Sequence, residues 1–174
     1  MVPGGYKWQC RVIGENAVVK KVGLRQLVNR VVFHGWKCLR YDIPIKHLAI
    51  RHYLKSGELD PMYVREQMIR NELSTQRPKP VFNEKIFMCL IEDFRQNKQY
   101  DPERPILYDR KNNLCDGAHR LAVCMYFDVK PIYAARVEKG FGADDYRFYI
   151  KVLDPEDIVR INCETERLRW QWTT

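Results

Sequence analysis

The spacing of apolar positions changes several times along the chain, and each change predicts an element. WQCRVI and AVVKKV flank Gly14-Glu15-Asn16, which predicts a hairpin of two short strands. Leu24, Leu27, Val28, Val31 and Val32 then recur at i, i+3, i+4, i+7 and i+8, the stripe of an amphipathic helix that ends near Gly35. Leu39 to Ile45, LRYDIPI, predicts a short strand with Pro44 at an edge or end, because proline cannot donate to a ladder. KHLAIRHYLKSGELDP runs to a turn around Gly57, and Met62 to Leu73 predicts a helix with Val64, Met68 and Ile69 inward. Arg77-Pro78-Lys79-Pro80 interrupts the chain. The next helix has Asn83 as N-cap, Glu84 in its first turn and an apolar stripe of Ile86, Phe87, Leu90, Ile91 and Phe94, and stops before Asp101-Pro102.

The signals then come closer together. PILY (Pro105 to Tyr108) predicts a strand, DRKNN a turn, and Leu114-Cys115 a returning strand. Asp116-Gly117-Ala118-His119-Arg120 follows at once and opens a helix, LAVCMYF, with Leu121, Ala122 and Met125 on its buried face. Val129-Lys130-Pro131 ends it, and IYAARV is a further strand. RFYIKVL predicts one more strand, Asp154-Pro155-Glu156 a polar start, and RLRWQWTT an aromatic and basic end. The divisions that follow are an N-terminal extension over 1–36, a core over 37–153 and a tail over 154–174.

Composition narrows the class without naming an activity. The chain has 174 residues, 45% hydrophobic and 30% charged, in the range of a globular domain rather than a disordered one. It has no apolar run long enough to span a bilayer and no visible secretory signal, so a cytoplasmic protein without membrane contact is expected. Of the net charge of +8, +6 comes from Lys20, Lys21, Arg25, Arg30, Lys37 and Arg40, in a window from Asn16 to Tyr41 that has no acid. Such a strip attracts nucleic acid or another polyanion, or it is a solvated face. The six cysteines form no C-x-x-C pair; most are expected to be small buried groups in a reducing compartment, not metal ligands.

The five residues Asp116 to Arg120 carry the most chemistry. A helix starting there leaves several backbone N–H groups without internal partners, at the positive end of its dipole. Gly117 lets a ligand approach the backbone, and His119 and Arg120 add donors. Together they suit phosphate oxygens. Asp116 has the wrong sign for phosphate but suits a phosphate-borne Mg²⁺, or the removal of a proton from a hydroxyl. The same residues also read as an N-cap, a turn glycine and a surface charge. His52 is a second candidate acid or base, with Arg51 and Tyr53 beside it for an anionic substrate; His34 and His47 read as structural.

LYDRKNNLCDGAHRLAVCMYFDVKPIYAARV resembles the core of the ParB/sulfiredoxin-like superfamily (the ParB-like nuclease domain), which carries a D-G-x-H-R-type motif between a strand and a helix. IPIKHLAI resembles its opening V-P-I-x-x-L strand. The resemblance implies an α+β fold, a small mixed sheet with flanking helices, here preceded by an N-terminal hairpin and helix. It also implies that Gly117, Ala118, His119 and Arg120 hold the phosphates of ATP or another nucleotide, with Mg²⁺, and that Asp116 matches the motif acid of the small-molecule (free-serine-type) kinases. Ala118 stands where sulfiredoxins place a reactive cysteine, Asp-Gly-Ala-His-Arg stands in place of the partition proteins' G-E-R-R pattern, and the 37 residues after Val137 are short for their DNA-reading part. The first acid after the opening segment is Glu58. The expectation is a kinase for a small hydroxyl compound such as an amino acid or sugar. The rivals are a nucleotide-binding ParB-like module that binds DNA or RNA through residues 20–40, and a scaffold without nucleotide.

Overall fold

A computed structural model describes residues 17–73, 84–138 and 146–174. In chain order it contains β1 (Val19–Val22), α1 (Leu24–Val31), β2 (Phe33–His34), β3 (Lys37–Cys38), α2 (Asp42–Ser56), α3 (Pro61–Leu73), α4 (Glu84–Asn97), β4 (Ile106–Asp109), β5 (Leu114–Asp116), α5 (Ala118–Phe127), β6 (Ile132–Val137), α6 (Tyr146–Val152) and α7 (Pro155–Thr173). The class is α+β with a small mixed sheet. The predicted first hairpin strand, the Arg77–Pro80 break and the Asn83 cap lie outside the described residues.

The sheet order is β1-β6-β4-β5, with a separate β2-β3 ribbon. β4 pairs antiparallel with β5 and parallel with β6, which in turn pairs antiparallel with β1. Helix α5 is therefore the crossover that carries the chain from β5 to the parallel strand β6. Its residues Leu121 to Met125 are all buried, because the sheet lies on one side and α2 and α4 on the others. The main core takes Ile106 and Tyr108 from β4, the α5 residues, Ile43, Ala49 and Ile50 from α2, and Leu168 and Trp172 from α7. Leu107, Ala135 and Val137 form a smaller cluster on their own.

Three expectations are corrected. Leu39 to Ile45 is not a strand: Asp42 to Ile45 open α2. Pro44 is the third residue of that helix, where the N–H it lacks would have no intrahelical acceptor, so it costs no bond. RFYIKVL is helical, not extended; Tyr149 and Leu153 are buried at i and i+4 while Ile150 is 50% exposed. The tail is a 19-residue helix with Pro155 at its start and Glu156 and Asp157 in its first turn. Its Ile161, Leu168 and Trp172 join the core, as do Leu24, Leu27, Val28 and Val31 of α1.

Helix α3 is rotated from its expected face, while α4 keeps most of its expected stripe. In α3 the buried residues include Met62, Tyr63 and Glu66, whereas Met68 is 53% exposed. In α4 Phe87, Ile91 and Phe94 are buried, and Ile86 is exposed. The cysteines are less buried than expected: among the described residues Cys124 is buried, Cys38 and Cys115 are half-buried, and Cys89 and Cys163 are exposed, all as free thiols. No described helix is long and apolar enough to cross a membrane.

Candidate active site

The turn before the motif is fixed by Asp109. Its Oδ1 accepts the backbone N–H groups of Lys111 and Asn113 at 2.8 Å each, and its Oδ2 accepts Asn113 Nδ2 at 2.9 Å. That turn returns the chain as β5, which delivers Asp116 to the sheet edge and Gly117 to the start of α5. Gly117 has φ +91°, a conformation that disfavours any side chain. A Cβ there would lie 3.3 Å from Ile106 Cα. The glycine is thus required by the backbone and by β4 whether or not a ligand approaches.

Gly117 O accepts the N–H of Leu121 at 2.8 Å. Among the described residues the N–H groups of Ala118, His119 and Arg120 take no protein acceptor, so the positive end of α5 faces outward with unused donors. Arg120 folds back over this corner: one of its terminal nitrogens donates to Asp116 Oδ2 at 3.2 Å and to Pro105 O at 3.3 Å. Its Nε is buried without a partner. The Asp116 side chain is 31% exposed, so it is the open wall of the corner.

His119 is held by aromatic neighbours. Its Nε2 lies 2.8 Å from the hydroxyl of Tyr63 on α3, and Phe87 of α4 meets its ring edge-on with centroids 4.7 Å apart. Burial, reinforced by the charge of Lys46, pushes its pKa well below the usual range. It therefore serves the corner as a neutral imidazole.

Beneath the corner lies a buried charged cluster that the sequence reading did not single out. Arg40 clasps Asp42 through Nε at 2.7 Å and Nη2 at 2.8 Å, and Lys46 Nζ reaches the same carboxylate at 3.0 Å. Arg40 also donates to Leu114 O on β5 at 2.6 Å, tying the cluster to the strand that carries Asp116. Glu66 on α3 pairs with Arg70, which also bonds the Tyr149 hydroxyl. Among the described residues Arg40, Lys46 and Arg70 stand with the carboxylates of Asp42 and Glu66. The one signal in the sequence is Lys46, a lysine inside the apolar run IPIKHLAI; Glu66 lies between Arg65 and Gln67 and carries no such mark.

The remaining predicted residues lie apart from Asp116 to Arg120. Arg51 bonds both carboxylate oxygens of Glu164 on α7, at 2.9 and 2.8 Å. His52 Nδ1 contacts Glu58 O at 2.9 Å and Ser56 Oγ at 3.1 Å, at the end of α2. Tyr53 faces Glu92 of α4. Six residues separate His52 from Lys46, about 9 Å along the helix axis. The basic strip is dispersed as well. Arg40 is in the buried cluster, Arg25 donates to the carbonyls of Trp172 and Gln171 at the end of α7, and Arg30 donates to the Tyr108 hydroxyl. Lys20, Lys21, Arg25, Arg30 and Lys37 are all exposed, and only Arg40 is buried.

No family model matches the chain, and neither a curated protein nor a solved structure is significantly similar to it.

Among the described residues no three His, Cys, Asp or Glu side chains gather to hold a metal. One half-open carboxylate, Asp116, fits a Mg²⁺ that arrives on substrate phosphates and keeps most of its waters. It does not fit a resident metal held by the protein.

Proposed function

We propose that this corner is the phosphate-binding site of a nucleotide-dependent phosphotransferase of the ParB/sulfiredoxin-like kind, which transfers a phosphoryl group to the hydroxyl of a small molecule such as an amino acid or sugar. The observation that carries the reading is the start of α5. Among the described residues the backbone N–H groups of Ala118, His119 and Arg120 meet no acceptor, and the Arg120 guanidinium stands beside them. Phosphoryl transfer asks a protein mainly for positioning and charge neutralisation. The amides of residues 118 to 120 and the Arg120 guanidinium supply both for an anion that seats there. Mg²⁺ carried on the phosphates would bring further charge neutralisation, with Asp116 the protein carboxylate that reaches it. Asp116, next to the anion and open to solvent, orients the acceptor hydroxyl and takes its proton. Arg51, His52 and Tyr53 have no part in this scheme.

The test is ADP formation from ATP with a panel of small hydroxyl acceptors, wild type against Asp116→Asn. Acceptor-dependent turnover falls about 10²–10⁴-fold in the variant, the usual worth of a positioned general base, while ATP binding is retained. Turnover equal to wild type would remove Asp116 from the mechanism, and no ATP binding by the wild type would remove the nucleotide.

A further inference from the structure

We infer that the Trp36 indole, stacked on Arg169 and next to Lys37, is a platform for a base of single-stranded nucleic acid, with neighbouring cations taking the phosphates. The phosphotransferase reading has no bearing on this surface.

Trp36 follows Gly35, at φ +56°, in the turn of the β2–β3 ribbon. Phe33 is fully buried and the Leu39 N–H donates to Val32 O at 2.7 Å, which anchors the base of the ribbon. Arg169 of α7 holds its tip: Nη1 donates to Trp36 O at 3.1 Å, and the guanidinium carbon lies over the indole, 4.6 Å from its centroid. Glu166 fixes Arg169 in turn. A planar cation thus covers one face of the indole and sets its position before any ligand arrives, which lowers the entropic cost of binding. Trp36 is nevertheless 80% exposed, so the other face is open. Tryptophan is highly buried on average, and an exposed cation–π pair contributes little to stability. Trp170, the residue after Arg169, is also exposed.

The surroundings select the occupant. His34 and Lys37 are register partners in the ribbon and both exposed, so polar groups border the indole. Arg25 donates to the carbonyls of Trp172 and Gln171 at the end of α7 and, among the described residues, to no carboxylate. Glu166 offsets the charge of Arg169, so Arg169 supports the ring while Lys37 and Arg25 are the groups for phosphates. From Asn16 to Tyr41 the chain has five exposed cations and no acid. A single strand offers a free base face to the indole and phosphates to the cations at once. A duplex keeps its base faces stacked on one another, and a bilayer surface calls for a broader apolar face than two tryptophans.

The experiment is fluorescence anisotropy of the full chain, without ATP, against labelled oligonucleotides about 16 nucleotides long. The probes are a single strand as DNA and as RNA, an abasic DNA backbone of the same length and a blunt DNA duplex, each over a range of salt. Wild type is expected to bind the single strand about 5–150-fold more tightly than the abasic backbone, the worth of one stacked base, and more tightly than the duplex. The tighter of DNA and RNA names the sugar. Trp36→Ala loses the preference for bases, and Trp36→Phe keeps part of it. Lys37→Gln weakens all the probes and lowers the slope of log affinity against log salt by about 0.7. Wild type that binds no single strand at low salt, or binds the abasic backbone or the duplex equally well, overturns the inference without recourse to any variant. A base preference that survives Trp36→Ala removes Trp36 from the site. Binding to phosphatidylserine vesicles with none to the oligonucleotides makes the patch a membrane contact and overturns the inference as well. Turnover of ATP, present or absent, decides only the phosphotransferase reading.

Discussion

His47 is 1% exposed on α2, its ring centroid is 5.7 Å from that of Tyr126, and neither ring nitrogen has a hydrogen-bond partner. The backbone of Ala122 comes near without hydrogen-bond geometry. Burial is the main cause that lowers its pKa to about 3, with Glu164 opposing. The unfolded chain takes up this proton near pH 6.5 and the folded chain not until about pH 3, so stability present above pH 6.5 is lost as pH falls through that window. At pH 4.5 the expected loss from this group is about 3 kcal/mol. His47→Leu flattens that part of the profile. It changes stability little at pH 7.5, because an unpartnered polar ring is exchanged for an apolar group of similar size. Urea unfolding at both pH values checks this, and an equal acid slope in the variant would sink it. The same scale explains what the sequence hid. Arg51, His52 and Tyr53 are neighbours in the chain, but successive helical residues point about 100° apart. They accordingly find partners on α7, in the loop after α2 and on α4.

At the scale of elements, legibility followed the strength of the period. The stripe of α1, the strands β4, β5 and β6 and the helix after Gly117 were all readable, because each has either a clean repeat or a turn residue at its boundary. The corner Asp116 to Arg120 was readable for the same reason, since a strand, a glycine and a helix start follow one another without a gap. LRYDIPI and RFYIKVL were misread because both are short and rich in apolar or aromatic residues, and burial on several sides erases the alternation that separates strand from helix. Asp42 to His47 are buried in succession, so no periodicity survived there to be read. For α7 the signal was present: Asp154-Pro155-Glu156 is a helix start, and Ile161, Leu168 and Trp172 lie on one face. Its place in the core gives a direct test. Leu168 is fully buried and Trp170, two residues on, is 61% exposed. Leu168→Ala is expected to cost about 2–5 kcal/mol in urea unfolding, and Trp170→Ala less than about 0.5. In an appended tail Leu168→Ala would be as mild as Trp170→Ala.

On the scale of the whole molecule, the buried cluster joins α2, α3, β5 and α6 beneath the corner. Burial raises the pKa of Asp42, but Arg40 and Lys46 outweigh it and hold the carboxyl well below the usual range, so Asp42 is ionised and doubly paired. Removing it leaves two buried cations without their partner, and Asp42→Ala should cost about 3–5 kcal/mol. The informative comparison is the triple replacement Arg40→Met, Asp42→Leu, Lys46→Met. Apolar groups of matching volume in place of a whole buried ion set are often neutral or stabilising, although here the bond from Arg40 to Leu114 O is lost as well. If the charges exist to hold a positive potential under an anion site, the triple variant stays within about 1–2 kcal/mol of wild type in unfolding. Its ATP affinity still falls, by at least about tenfold, since two cations and one anion are removed close to the phosphates. A triple variant as unstable as Asp42→Ala would make the cluster a structural requirement. One that is stable and binds ATP as wild type does would detach the cluster from the site.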